Sequence, residues 1–120
     1  MSTRKVEGEG YSVEYNEGTR RVVFAGSIRL QTTAEYEPVK LLLTEAYDNA
    51  AAAGSPLTLD FRQLQFLNSS GINTVSRFVI AARKQDKTPL TVLGSADIYW
   101  QKKSLTNLQK LWSKVQIQIQ

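Results

Sequence analysis

LTLDFRQLQFLNSSGINTVSRFV (Leu57 to Val79) changes character at its midpoint. Leu57-Thr-Leu-Asp-Phe61 reads as a strand, bounded before it by Gly54-Ser55-Pro56. From Ile72 the apolar positions Val75, Phe78, Val79 and Ala82 recur at spacings of three and four, which is the period of a helix reaching Lys84. Asn68-Ser69-Ser70-Gly71 joins the two. A strand that feeds directly into a helix is the unit of an α/β fold, and the flanking sequence repeats it.

After the helix, Gln85 to Thr88 is a return loop and Pro89 to Leu93 a short apolar strand. Gly94-Ser95-Ala96-Asp97 then turns the chain into a third helix carrying Ile98, Leu105, Leu108 and Leu111. Val115-Gln-Ile-Gln-Ile119 alternates strictly, as a strand with one covered face does. Upstream, Ala34 to Ala53 is helical, with Tyr36, Val39, Leu42, Leu43, Ala46 and Tyr47 on one side and Pro38 in an early turn. Thr32 or Thr33 caps it. Tyr11 to Tyr15 and Arg20 to Phe24 form a hairpin across Asn16-Glu17-Gly18-Thr19, and Ala25-Gly26-Ser27 breaks the second run. The polar residues 1–9 are expected to be a flexible N-terminus ahead of one domain at 10–120. The expected order is β-β-α-β-α-β-α-β: a single α/β domain with a mixed, mostly parallel sheet, an N-terminal antiparallel hairpin and about three helices.

A chain of 120 residues, 42% hydrophobic, supports one core. It contains no cysteine, which excludes disulfides and thiolate metal sites, and no histidine, which removes the commonest general base and metal ligand. No enzymatic activity, metal or cofactor is expected. No apolar run approaches the roughly 20 residues of a membrane span, and MSTRKVEGEG lacks a signal-peptide core, so a cytoplasmic location is expected. The net charge of +4 is uneven: residues 1–61 carry 6 basic and 9 acidic side chains (−3), and residues 62–120 carry 9 and 2 (+7). The basic half either solvates helices or docks an acidic partner. Its aromatics are not interleaved as a base-stacking platform requires, so neither nucleic acid nor membrane is expected as a partner.

Residues at the carboxyl ends of strands in an α/β sheet are where function gathers. At Asn68–Gly71 one serine is expected to cap the helix, an N-cap being worth about 1 kcal/mol. Such a cap explains one hydroxyl and leaves the other without a role. The alternative is electrostatic: a helix start presents unpaired N–H donors and about half a positive charge. A phosphoserine there is stabilised and puts nearly two negative charges on an uncharged patch.

The stretch LTLDFRQLQFLNSSGINTVSRFVIAARKQDKTPLTVLG resembles the STAS domain of bacterial anti-sigma-factor antagonists, whose strand reads roughly "hxLDhsxhxFhDSSGhxxh". Leu59, Asp60, Leu64, Phe66, Ser69, Ser70, Gly71 and Ile72 carry the likeness, and FAGSI (Phe24 to Ile28) echoes the family's "hxGELD". The resemblance implies a non-enzymatic partner-switching module that binds a protein serine kinase, a phosphatase or both. Binding would be controlled by phosphorylation of Ser69, with Ser70 as the alternative acceptor. The partner-facing residues it implies are Asn68, Ser69, Ser70, Gly71, Ser27 and Arg29. Asn68 stands where the family has aspartate, and Ser27 and Arg29 replace an acidic pair. Those departures favour a constitutive interaction domain that has lost switching; a small anionic-ligand or nucleotide site at the same helix start is a third reading. The sequence leaves the oligomeric state open.

Among other candidates, Glu35, Glu37, Glu45 and Asp48 read as a solvated helix face. Asp60 faces solvent or bonds backbone near the turn. Tyr99, Trp100 and Trp112 are expected in the core, with partner contact as the alternative. Lys102, Lys103, Lys110 and Lys114 form a solubilising or docking face.

Overall fold

Residues 3–120 are described in a computed structural model of the chain, so Met1 and Ser2, the start of the expected flexible segment, lie outside the described residues. The elements run β1 (Thr3–Gly8), β2 (Tyr11–Asn16), β3 (Arg21–Ile28), α1 (Thr33–Ala52), β4 (Leu57–Leu67), α2 (Ser69–Gln85), β5 (Leu90–Gly94), α3 (Gln101–Leu111) and β6 (Val115–Ile119). The six strands form one sheet in sequence order. β1, β2 and β3 pair antiparallel, and β3 to β6 pair parallel. This is the expected mixed α/β architecture with one added strand. Thr3 to Gly8, expected outside the domain, pairs residue for residue with β2, and Arg4 forms an ion pair with Glu45 of α1.

The strand order fixes where the helices go. Each β-α-β connection steps one strand further in the same direction, and right-handed crossovers then put all three helices on one face. That face holds the core, with Phe24 stacked on Phe61 at 4.4 Å and Tyr47 edge-on to Phe78 at 6.1 Å. Among the described residues the other face has no helix. It presents Thr58, Asp60 and Arg62 from β4, between Val23 of β3 and Leu93 of β5.

β4 runs six residues beyond Phe61, where the sequence pattern had ended it. Register shifts against β3 between Val23 and Ala25, and between Gly26 and Ser27, each give β4 one extra residue. The inward positions therefore become Phe61, Leu64 and Leu67, a spacing of three that strict alternation misses. Gly26 makes the second irregularity possible: its φ is +88°, and a Cβ there would sit 2.1 Å from the Gly10 oxygen. A side chain far along the sequence closes the bulge. Gln101, wholly buried at the start of α3, donates from Nε2 to the Phe61 and Leu64 carbonyls at 2.5 and 2.8 Å. Its Oε1 accepts from the Ser95 N–H at 2.8 Å.

Asp60 is 2% exposed although it lies on the helix-free face. Arg62 grips it through Nε at 2.9 Å and Nη2 at 2.7 Å, and Arg21 lies at 3.5 Å. Burial pushes the Asp60 carboxyl upward, but these hydrogen bonds and charges outweigh it and hold it below the usual carboxylate range. Its Oδ1 also accepts from the Arg62 backbone N–H at 3.0 Å, so Asp60 bonds backbone as one expectation had it, but within β4, and it does not face solvent.

Candidate functional site

α1 and α2 both begin where parallel strands end, so their amino termini share one end of the sheet. α2 begins at Ser69, three residues earlier than its apolar stripe indicates, and Asn68 caps it in place of a serine. Asn68 Oδ1 accepts from the Gly71 N–H at 3.0 Å and from the Tyr36 hydroxyl at 2.6 Å. Its Nδ2 donates to the Leu30 carbonyl at 2.8 Å. Its backbone N–H reaches the Ile28 carbonyl and its carbonyl accepts from Ile72. One side chain thus joins the β3–α1 connection, α1 and α2. An aspartate would cap as well but has no donor for Leu30, which is a physical reason for the amide here. Burial raises the Tyr36 phenol above its usual range, so it remains a donor to this cap.

Gly71 is required by close approach. A Cβ there would lie 2.2 Å from Leu67 Cδ1 and 2.7 Å from the Tyr36 hydroxyl. Ser69 is exposed and Ser70 half-exposed. The first-turn N–H of Gly71 is taken by the cap, and that of Ile72 by the Asn68 carbonyl. The N–H groups and hydroxyls of Ser69 and Ser70 have no protein acceptor or donor among the described residues, and no acidic residue occupies this first turn. The result is a positive helix end with two hydroxyls on it, able to receive an anion.

The other site residues predicted from sequence come to the same place. Ser27 pairs in register with Phe66, and its N–H donates to the Gly10 carbonyl at 2.9 Å. Ile28 pairs with Leu67, which sets Arg29 alongside Asn68, one residue from Ser69. The Arg29 guanidinium stacks over the Phe66 ring, 4.6 Å from its centroid.

Sequence reasoning put Tyr99 and Trp100 in the core with partner contact as the alternative, and gave Phe66 no place at the surface. Phe66 is 39% exposed, and Tyr99, expected in the core, is fully exposed. Trp100 is half-buried; its Nε1 donates to the Gln65 carbonyl at 2.9 Å, and it borders a small crevice with Leu67 and Ile72. Trp112 is buried as expected. Lys102 and Lys103 share an open concavity with Tyr99 and Trp100. The signal available in the sequence was Phe66 itself, a large apolar residue beside Leu67 that strict alternation would turn outward. Among the described residues, no acidic cluster could hold a metal ion and no helix is long and apolar enough to cross a membrane.

No family model and no curated protein matches the chain. Its fold is that of solved structures of SiaC from Pseudomonas aeruginosa. One matches with a TM-score of 0.72 at 17% identity over 100% of both chains. A second, apo-SiaC, has a TM-score of 0.71 at 16% identity over 100% of this chain and 99% of that one. A third is the diguanylate cyclase SiaD in complex with its activator SiaC, with a TM-score of 0.72 at 15% identity over 98% and 99%. At these identities the likeness is one of fold, extending end to end.

Proposed function

We propose that this chain is a non-enzymatic partner-binding regulator of the STAS type, with docking at the β4–α2 junction controlled by phosphorylation of Ser69. The carrying observation is the state of that helix start: an exposed serine as first helical residue, unpaired N–H groups beside it and no acid in the first turn. The likeness of fold to an activator solved in complex with a diguanylate cyclase supports a protein partner, with a signalling enzyme as the effector. The modifying enzymes are a protein serine kinase and an opposing phosphatase.

In this mechanism the partner covers Ser69 and the aromatic rim of Phe66, Tyr99 and Trp100, which offers large area at low side-chain entropy cost. Phosphate on Ser69 adds about −1.5 to −2 charge. The α2 end and Arg29 accommodate it within this chain, and Arg29 leaves Phe66 for the phosphate. The scaffold stays folded while the docking surface changes sign. Ser69 is preferred to Ser70 because it is the more exposed.

The test is incubation with serine kinases of the source organism and ATP, followed by mapping of phosphate by mass spectrometry. Phosphate on Ser69 and loss of partner binding by the phosphorylated form are expected. Absence of phosphate from both Ser69 and Ser70 rejects the switch. Two observations favour other readings. Arg29 beside the serine, in place of the family's acid, favours a constitutive docking domain, for which Ser69→Asp leaves affinity unchanged. A groove of about 210 Å³ between α1 and α2, with Lys40 and Arg77 on its walls, favours a small anionic ligand, which calorimetry with common nucleotides would detect.

A further inference from the structure

The two edges of the sheet are built differently. β1 carries Arg4, Lys5 and Glu7, charges of the kind that discourage another strand from adding. β6, VQIQI, has no charge, no proline and an unbroken register with β5. Its inner hydrogen bonds set which groups face outward. The Lys114 carbonyl accepts from the Leu90 N–H at 3.1 Å, and the Gln120 N–H donates to the Gly94 carbonyl at 3.0 Å. Even-numbered residues therefore bond β5, and in a parallel ladder the odd-numbered ones turn their groups the other way. The Val115 N–H is taken by the Trp112 carbonyl at 3.1 Å. Ile117 and Ile119 each present an N–H and a carbonyl to an edge that no described residue covers, and their side chains are only half-buried.

Charge selects what can occupy this edge. From Ile98 to Gln120 the chain carries Lys102, Lys103, Lys110 and Lys114 and no acidic residue. Lys114 is paired with Asp86 at 2.7 Å, and Lys102, Lys103 and Lys110 have no ion pair among the described residues. A second copy would bring the same three uncompensated charges against these three, whereas an acidic segment would be attracted. Apolar side chains at alternate positions of such a segment would lie beside Ile117 and Ile119, and polar ones beside Gln116 and Gln118. We infer that the open edge of β6 is a strand-addition site for an extended acidic segment of a partner protein, through the backbone of Ile117 and Ile119. The inference is independent of Ser69, which lies two strands away beyond β4.

The probe is a capped octapeptide alternating glutamate and valine, titrated into the full chain while backbone amide exchange is followed by NMR. The Ile117 and Ile119 amides should exchange at least tenfold more slowly on saturation, and those of Gln116 and Gln118 should be unchanged. Ile117→Pro removes the outward N–H without touching the bonds to β5 and should weaken binding at least tenfold, whereas Ile117→Ala should change it less than threefold. The same peptide N-methylated on the residues facing β6 requires no change in the protein and should not bind. Equal binding by the proline and alanine variants, equal binding of a lysine–valine peptide, or no protection of Ile117 and Ile119 at millimolar peptide would overturn the inference. So would a dimer in sedimentation that Ile117→Pro abolishes, since the occupant would then be a second copy.

Discussion

α1 and α2 start side by side and are capped in opposite ways. At α1 the cap is local and complete: the Thr32 hydroxyl accepts from the Glu35 N–H at 3.1 Å, and Glu35 Oε1 accepts from the Thr32 N–H at 3.1 Å. The Glu35 carboxylate also places a negative charge on that positive end. At α2 the cap is tertiary, an amide tied to Leu30 and Tyr36, and the first turn, Ser69-Ser70-Gly71, has a glycine where α1 has its acid. One helix end is electrostatically filled. The other is structurally finished but uncompensated, so it can take up a charge without rearrangement.

The contrast can be broken most severely at Gly71. Gly71→Ala should cost about 3 kcal/mol in denaturant unfolding, the upper end for overpacking, since the new methyl meets Leu67 and Tyr36. The matched change at α1, Glu35→Ala, has only exposed neighbours and should cost under about 1 kcal/mol. Next comes the cap itself. Asn68→Ala should cost about 2 kcal/mol and Thr32→Ala about 1 kcal/mol, because the asparagine ties α1, α2 and the β3–α1 connection together whereas the threonine bonds within its own turn. Asn68→Asp should fall between Asn68→Ala and the native chain; a value equal to the native one would show that the Leu30 contact is unimportant.

Asp60 serves as a reference on the same strand, away from both helix ends. Its folded-state pKa is lowered, so its contribution is full above the unfolded carboxylate pKa and declines as pH falls through the lower folded value. Stability should therefore drop below about pH 4 by a component that Asp60→Asn abolishes. That component should be about 1 kcal/mol, because Arg62 and Arg21 are 36% and 40% exposed and solvent screens the pair. The smallest effect sharpens the comparison most. Ser69→Asp should raise stability by about 0.5 kcal/mol at low salt, with the gain fading at high salt, while Ser69→Lys should lower it by a similar amount. A destabilising Ser69→Asp would mean that this helix end is not open to negative charge.

Much of the architecture was legible because it rests on local periodicity. The stripe of Tyr36, Val39, Leu43 and Tyr47 marks α1, the Val75–Ala82 positions mark α2, and the alternation of Val115–Ile119 marks β6. The N-terminal edge strand was not legible, since TRKVEG gains its order from pairing with β2 and has no apolar period of its own. The far half of β4 was missed because its two register shifts break the alternation that identifies strands. Ser27, Arg29 and Asn68–Gly71 were grouped from motif, and they do meet at the end of β3 and β4.

The order of residues alone dictated the three helices, the later strands and the strand–turn–helix phrase, because each depends on neighbours a few residues away. The folded chain alone assigned the cap to Asn68, brought Gln101 beneath the β4 bulge, stacked Arg29 on Phe66 and left Tyr99 in solvent. Each of those outcomes depends on a partner at least three residues away and mostly more than 30, or on having none. Hydrogen bonds and contacts between such distant groups exist only once the sheet has brought them within reach.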